Sequence, residues 1–407
     1  MPSLYLAKLR HAVYYWSVAR AANRTYQKGG ENLQHGLGLF DKEWPNIQVG
    51  YEWAAQNALR DNAAAEMCSF YSNECAGLIA LRQHARVLIT WLEAALPAAL
   101  RIGLDDAVAV HTGNLGVANA QLGETKQAIR YFRKHLALSR RSSNRKAEQS
   151  AIANLGIMYR NCGQVRRAIR FFEKSLRLAV EIRDRAAEAN ALGNLGTAYA
   201  AVGETQPALE YHQRSLAINR ELGDWHGMGI KLGDIGLLLV DVGELWRAIP
   251  LFTEQLRIAR ELRDRRSEAA ALGNLGRAYS ALDNYVYARE LFEAHLAIAS
   301  EIGDLRSETV ALCNIGATLA TLGKVDEAMQ AFGRAVEHAH ITGDASGEAK
   351  ALYDKAVTLN RIGKCDEAIP LAKTAFEIFT RIDEPASASK VREKLMVWGG
   401  RTENNLW

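Results

Sequence analysis

The chain has 407 residues, of which 48% are apolar and 24% are charged, with a formal net charge of +4. These values are typical of soluble proteins, and the absence of any run of 18 apolar residues excludes a membrane-spanning helix. The five cysteines are scattered and odd in number, which predicts reduced thiols in a cytoplasmic protein. The N-terminal residues lack the unbroken apolar core of a signal peptide.

The first 65 residues predict two long helices, at 3–26 and at about 37–58, separated by Gly29-Gly30. We interpret residues 1–65 as a helical cap or, alternatively, as a separate docking module. Helical arrays need atypical ends, because their terminal faces would otherwise remain uncovered.

A self-match with a period of 40 residues begins at residue 106 and continues through seven units to residue 385. A column of small residues contains Gly116, Gly156, Gly196, Gly236, Gly276, Gly316 and Ala356. A second column contains Ala128, Ala168, Ala208, Ala248, Ala288, Ala328 and Ala368. We expect these small residues to let neighbouring helix backbones approach closely.

The third unit shows how each unit is built. Leu192, Leu195 and Tyr199 recur at helical spacing and define one apolar face. Gly203 then predicts a helix end, since glycine readily takes the left-handed conformation of a C-cap. Asp224 predicts the N-cap of the next unit. Each unit is therefore predicted to be two antiparallel helices that bury their apolar faces against neighbouring units.

The array is flanked by weaker copies. Residues 66–105 keep the register through Leu88 and Leu96, and they predict a degenerate unit. The segment 386–407 predicts a closing helix at 386–398 followed by a loose tail. An uncovered apolar end on the closing helix would permit self-association.

The heptapeptide Gly193-Asn194-Leu195-Gly196-Thr197-Ala198-Tyr199, with Ala208 twelve residues after Gly196, resembles the tetratricopeptide-repeat signature. The 40-residue spacing resembles the longer repeats of LGN/Pins-type adaptors and of bacterial STAND/NB-ARC regulators. The resemblance implies an all-α fold, a right-handed superhelical α-solenoid of antiparallel helix pairs. Residues 38–47 are similar to the start of STAND repeat domains. The chain has no G-x-x-x-x-G-K-[ST] phosphate loop, so it departs from those regulators in lacking a nucleotide switch.

A polar column lies beside the packing face, and in tetratricopeptide families this face lines the concave groove. Its members are Asn114, Asn154, Asn194, Asp234, Asn274, Asn314 and Asp354. A side-chain amide both donates and accepts, which suits a peptide unit, so the column resembles a ladder that holds a bound backbone. The alternative is that these side chains bond across neighbouring helices and only set the stacking. We expect the small residues that precede the column, such as Gly273, to leave room for a ligand.

Basic residues accompany this column and also form a separate block. The predicted groove cations are Arg160, Arg277, Lys350 and Arg361. Residues 124–185 hold 16 Lys+Arg and 5 Asp+Glu. The block includes Arg130, Arg133, Lys134, Arg166, Arg167, Arg170, Lys174 and Arg177. This block should face outward, where it is a solvated surface, a site for an acidic protein or a nucleic-acid surface. No aromatic residues interleave it in the manner of a base-stacking platform.

No catalytic or metal-binding motif occurs. The ten histidines lack metal-ligand spacing, and the acidic residues Glu31, Asp41, Glu43 and Glu52 are too dispersed to favour an enzyme. The sequence therefore predicts a non-catalytic scaffold that binds a protein or peptide partner in its groove, without cofactor, metal or membrane. Two alternatives remain, a ligand-sensing module of a bacterial STAND-like system with a separate effector and a nucleic-acid binder.

Overall fold

The computed structural model describes residues 4–30 and 32–399, and all its regular elements are α-helices. Gly399, the first residue of the predicted loose tail, is helical, and the rest of that tail and Glu31 lie outside the described residues. The chain divides into two compact units, residues 1–204 and 205–407. Within the described residues, no helix is both long and apolar enough to cross a membrane.

The first compact unit contains nine helices among its described residues. They are α1 (Leu4–Gln27), α2 (Asn32–Asn57), α3 (Asn62–Arg82), α4 (Ala85–Arg101), α5 (Asp105–Gln121), α6 (Thr125–Arg141), α7 (Arg145–Asn161), α8 (Val165–Glu181) and α9 (Arg185–Ala201). Each helix packs on the next one. The first helices of successive pairs also touch, as α3 touches α5 and α7 touches α9.

The second compact unit contains ten helices among its described residues. They are α10 (Thr205–Leu222), α11 (Trp225–Asp241), α12 (Leu245–Glu261), α13 (Arg265–Ala281), α14 (Tyr285–Glu301), α15 (Leu305–Thr321), α16 (Val325–Thr342), α17 (Ala345–Arg361), α18 (Cys365–Arg381) and α19 (Pro385–Gly399). In sequence, the repeats run from α5–α6, the first, to α17–α18, the seventh. The helix predicted at 386–398 is α19.

The helix ends follow the predicted signals. Asp264 and Asp304 cap α13 and α15, because their carboxylates accept from the backbone N–H groups of Ser267 and Ser307, each at 3.1 Å. Gly203 adopts φ +81°, the left-handed conformation that its position after α9 requires. These stops limit the helices of the seven repeats to 17 or 18 residues, about five turns each.

The glycine column works differently from the prediction. A Cβ atom at Gly276 would lie 2.5 Å from the ring of Phe292, and one at Gly316 would lie 2.6 Å from the ring of Phe332. The close approach is therefore between a backbone and an aromatic ring of the paired helix, not between two backbones. The alanine column is fully buried in all seven repeats.

The N-terminal helices pack directly on the pair α3–α4. Tyr51 stacks on Trp91 with ring centroids 3.7 Å apart, and the Tyr71 hydroxyl donates to the carbonyl of Ala12 at 2.7 Å. Helix α3 begins at Asn62, four residues before the predicted start of the degenerate unit. A cap that covers the end of an array would pack in this way, and a docking role for residues 1–65 stays a prediction.

Candidate peptide-binding groove

The polar column, hereafter the ladder, lies on the first helix of each repeat. All seven ladder residues are half-buried. By contrast, the next residue after Asn114, Asn154, Asn194 and Asn274 is in each case a buried leucine. The half-burial arises because the ladder lies at the edge of the packing stripe, so that each side chain reaches solvent from a partly apolar surround. Polar groups placed in this way are held in position by packing and remain accessible to a partner.

Three ladder residues have partners in the protein. The Asn274 amide donates to Gln255 Oε1 at 3.3 Å, across from α13 to α12. Asp354 accepts from Lys350 Nζ at 2.9 Å, one turn earlier on the same helix. Asp234 forms an ion pair with Lys231, in which Oδ2 and Nζ are 2.5 Å apart. The stacking interpretation therefore fits Asn274, which bonds to a neighbouring repeat.

The other four ladder side chains are Asn114, Asn154, Asn194 and Asn314. Within residues 4–30 and 32–399, none of their amides forms a hydrogen bond. A half-buried amide without a protein partner keeps both its donor and its acceptor for another molecule. These four side chains do not set the stacking through hydrogen bonds.

In the second compact unit, α13 and α15 border a cavity of about 610 Å³. Three of the predicted site residues line it together, namely Asn274, Asn314 and Arg277. Arg277 is exposed and lies one turn after Asn274, so the guanidinium and the amide are both accessible to solvent. The cavity joins two successive ladder positions to one groove cation.

The remaining predicted cations do not join this cavity. Lys350 and Asp354 line a smaller cavity of about 190 Å³ between α17 and α19. Arg361 is exposed at the end of α17 and lines neither cavity, so the structure does not bring it beside Lys350. Arg160 is half-buried in the last turn of α7.

The prediction of free space over the small residues that precede the ladder is wrong at several repeats. A Cβ atom at Gly273 would lie 2.9 Å from His295 Nδ1, and one at Gly113 would lie 3.0 Å from the His135 ring. The paired helix fills the space directly over these glycines with a polar side chain, and Gly273 lines the cavity beside His295. The backbone glycine accommodates a neighbour within the repeat.

His295 belongs to the cavity wall and is a neutral, structural histidine. Its Nε2 lies 2.8 Å from Ser307 Oγ, and it is only 4% exposed. Burial lowers its pKa, against a smaller opposing effect of Asp304. In the described part of the chain its Nδ1 has no hydrogen-bond partner, because this atom faces the Cα position of Gly273.

Sequence reasoning missed a row of ion pairs at the groove edge. Arg266 Nε lies 3.4 Å from Asp304 Oδ2, and Lys146 Nζ lies 3.3 Å from Asp184 Oδ2. Each pair joins the second residue of one repeat to the cap of the next. The signal was present as a cation 38 residues before a capping aspartate, but the aspartates were assigned to capping alone.

The basic block is exposed on α6 and α8, as predicted from its position on second helices. Its eight predicted members are all exposed. Two aromatic rings lie next to its cations, and Lys174 Nζ is 5.8 Å from the centroid of one of them, Phe171. Arg167 covers the ring of Tyr159 at 3.9 Å, and Arg133 donates to the Tyr159 hydroxyl at 2.9 Å. Since Tyr159 is buried under these arginines, its ring offers no face to a nucleic-acid base.

The described residues contain no cluster of three metal-ligating side chains. Asp41 pairs with Arg82 at 3.2 Å, and Glu52 accepts from Gln48 at 2.9 Å. The acidic residues of the N-terminal helices are thus occupied by separate neighbours and do not converge on a pocket.

Solved structures share this fold at low sequence identity. A Rap protein complexed with competence and sporulation factor has 17% identity and a TM-score of 0.54, with 83% of this chain and 98% of that chain covered. A STAND protein with a tetratricopeptide repeat sensor from Pyrococcus horikoshii has 16% identity and a TM-score of 0.57, with coverage of 87% and 55%. Aspartyl phosphate phosphatase F from Bacillus subtilis has 14% identity and a TM-score of 0.50, with coverage of 78% and 92%.

These likenesses establish the fold and nothing more, because all the identities are low. The chain spans about half the length of the STAND protein, 55%. No curated protein sequence matches the chain.

Models of the tetratricopeptide repeat match most of the chain. One model matches residues 148–221, 228–301 and 306–381, and a second matches residues 111–146. The matched segments contain the ladder and both columns of small residues. The chain belongs to the tetratricopeptide-repeat family.

Proposed function

We propose that the chain is a non-catalytic interaction module that holds an extended segment of a partner polypeptide along the ladder. The observation that carries this proposal is the set of four half-buried amides without hydrogen bonds in the described part of the chain, Asn114, Asn154, Asn194 and Asn314. They occupy the same position in the first, second, third and sixth repeats. A peptide backbone repeats its own donors and acceptors, so a recurring amide is its natural partner.

The expected energies are modest for each contact. A hydrogen bond contributes about 0.5–1.5 kcal/mol net, so a single ladder amide changes affinity by roughly 2- to 12-fold. Several such contacts are needed to offset the ordering of an extended peptide. Apolar contacts of the peptide with exposed groove residues such as Val310, which is 51% exposed, would supply the rest.

Selection of peptides from a random display library tests the proposal. The full chain should enrich a family of peptides, and the double variant Asn194→Ala/Asn314→Ala should retain them at least tenfold more weakly. Neither side chain has a protein partner in the described residues, so thermal stability should not change. Asn274 is a poorer choice, since its removal would also strand Gln255.

The matched control is Gln213→Ala/Gln330→Ala, which removes two exposed amides from the second helices α10 and α16. This variant should bind the enriched peptides as the wild type does. If the wild type enriches no peptide, or if the ladder variant binds as well as the control variant, the proposal is wrong.

A sensing role in a STAND-like system would use the same binding event and add a response by a separate effector. The shared fold with a STAND protein that has a repeat sensor supports this alternative. Its test is co-purification of an effector with the chain in the presence of the enriched peptide and not in its absence.

Nucleic-acid binding is the third alternative and rests on the basic block. Within the described residues, Lys134, Arg166, Arg170 and Arg177 have no acidic partner within 4.0 Å. Steep weakening of binding to a single-stranded oligonucleotide with rising salt, lost in Arg166→Gln/Arg170→Gln, would support it. The cytoplasmic location stays a prediction from composition.

A further inference from the structure

The cavity between α13 and α15 contains two arginines without acidic partners. Arg277 and Arg306 both line it, and neither forms an ion pair or a hydrogen bond with the residues at 4–30 or 32–399. Arg277 follows the ladder residue Asn274 by one turn. Arg306 lies at the start of α15, two turns before the ladder residue Asn314.

The acidic residues of the same cavity are occupied. Asp304 accepts from the Ser307 backbone N–H at 3.1 Å, and its other oxygen lies 3.4 Å from Arg266. Asp344 accepts from the Gly347 backbone N–H at 3.0 Å as the cap of α17. Capping fixes these carboxylates but does not neutralise Asp344, so the charged lining of three arginines and two aspartates has a net charge of +1.

The next cation along the groove is also neutralised. Lys350 is 2.9 Å from Asp354. Burial and, to a smaller extent, the charge of Arg277 lower the pKa of Lys350, but Asp354 and Cys313 outweigh both effects and the pKa is raised. Lys350 is therefore held by Asp354 and is not a free cation for a ligand.

The histidine in the wall does not change this balance. Burial lowers the pKa of His295, so the imidazole is neutral at pH 7. The cavity therefore has an excess of positive charge next to two ladder amides. The cavity opens to solvent on the groove side, and its volume of about 610 Å³ is large enough for a side chain.

We infer that this cavity selects an acidic side chain of the bound peptide. The peptide's Asp or Glu carboxylate binds Arg277 and Arg306, while Asn314 holds the backbone beside it. A guanidinium matches a carboxylate with two parallel hydrogen bonds, and such charge-assisted bonds are stronger than neutral ones. The inference rests on the proposed function and specifies its ligand as an acidic extended segment.

The test starts from the random peptide library selected on the full chain. The enriched peptides should carry Asp or Glu at one fixed position. In fluorescence anisotropy, replacing that Glu by Gln in a labelled enriched peptide should weaken binding to the wild type about tenfold. On the Arg277→Gln/Arg306→Gln variant, the same replacement should make less than a twofold difference.

The control is Arg334→Gln, which removes an exposed arginine from α16 outside the cavity and should leave the acid preference intact. Enrichment without a fixed acidic position would overturn the inference, as would a Glu-to-Gln loss of equal size on wild type and variant. If the arginine variant fails to fold, the Glu-to-Gln comparison on the wild type decides, and no loss there would overturn the inference.

The two proposals fail in different ways. Enriched peptides that depend on Asn194 and Asn314 but have no acidic position would leave the ladder function intact and remove the acidic specificity. Peptides that are insensitive to Asn194→Ala/Asn314→Ala would remove the ladder function itself.

Discussion

The fifth and the seventh repeats, both in the second compact unit, distribute side-chain volume in opposite ways. In the fifth repeat, Gly273 and Gly276 on α13 leave space that His295 and Phe292 on α14 fill. Where the first helix has no side chain, the second helix has a large one. Each pair lies symmetrically about the turn, as antiparallel helices require.

In the seventh repeat the volume has moved to the first helix. Tyr353 and Ala356 on α17 occupy the two glycine positions, and Ala375 and Ala372 on α18 replace the two rings. All four are buried in one core cluster with the closing helix α19. The comparison shows that the space between the two helices of a repeat can be filled by side chains from either helix.

The groove changes with the packing. Next to the fifth repeat, Asn274, Asn314 and Arg277 line an accessible cavity. In the seventh repeat the ladder residue is Asp354, and Lys350 neutralises it at 2.9 Å. The fifth and sixth repeats therefore offer groups to a partner, whereas the seventh repeat satisfies its ladder residue internally.

The largest effect should follow from breaking the volume exchange in the fifth repeat. Phe292→Ala should lower the free energy of unfolding by about 3–5 kcal/mol through lost burial and a cavity. Gly276→Ala should cost about 1–3 kcal/mol, since its Cβ would overlap the ring. The double variant should cost less than the sum of the two, because the added methyl then enters the vacated space. Urea unfolding of the four proteins measures this coupling, and simple additivity would contradict the exchange.

A smaller effect separates the two grooves. Asn314→Ala should weaken binding of an enriched peptide about tenfold, the value of one lost hydrogen bond of about 1.4 kcal/mol. Asp354→Ala should change it less than twofold, since Asp354 is already paired with Lys350. Anisotropy titrations give both values. Equal losses would mean that the seventh repeat takes part in binding as the sixth does.

Acidification should distinguish the fifth repeat from the sixth, which has Cys313 and Ala335 in place of Gly273 and His295. Burial holds the pKa of His295 below its unfolded value of about 6.5, so the unfolded chain binds more protons below that pH. The free energy of unfolding is therefore not reduced by His295 above pH 6.5, and it falls as the pH falls below 6.5.

The variant Gly273→Cys/His295→Ala should fold and lose less stability than the wild type between pH 7 and pH 5. Thermal melts at matched ionic strength measure the difference. A steeper loss in the variant than in the wild type would contradict the assigned sign.

The smallest effect should come from a turn. Arg263 has φ +52°, at a position where the corresponding residues Gly223, Gly303 and Gly343 also have positive φ. A side chain in this region costs energy that glycine avoids. Arg263→Gly should therefore raise the unfolding free energy by about 0.5–1 kcal/mol in urea titrations. A loss of stability would show that the arginine side chain contributes more than the strain costs.

Much of the fold could be predicted from the sequence because a 40-residue period repeats each local signal many times. Apolar spacing predicted the helices, and Asp304 and Gly203 marked their ends. These signals depend on residues at most four positions apart. The antiparallel symmetry that pairs Gly276 with Phe292 was also readable, but the glycine column was interpreted through backbone contact instead.

The site was harder to predict because it depends on neighbours that are distant in sequence. The pairing of Arg266 with Asp304 requires the offset between successive first helices, and the filling of the space over Gly273 requires the reach of His295. Whether a ladder amide is free depends on the opposite residue, as Gln255 shows for Asn274. Residue type alone did not distinguish Asn274 from Asn314.

The most direct test of the central claim, that ladder amides hold a peptide backbone, is a backbone-ester scan of an enriched peptide. Each ester removes one backbone N–H and leaves every side chain unchanged. On the wild type, an ester at the position held by Asn314 should weaken binding about tenfold, and on Asn314→Ala the same ester should cost less than twofold. Esters that cost nothing on the wild type, or equally much on both proteins, would contradict the claim.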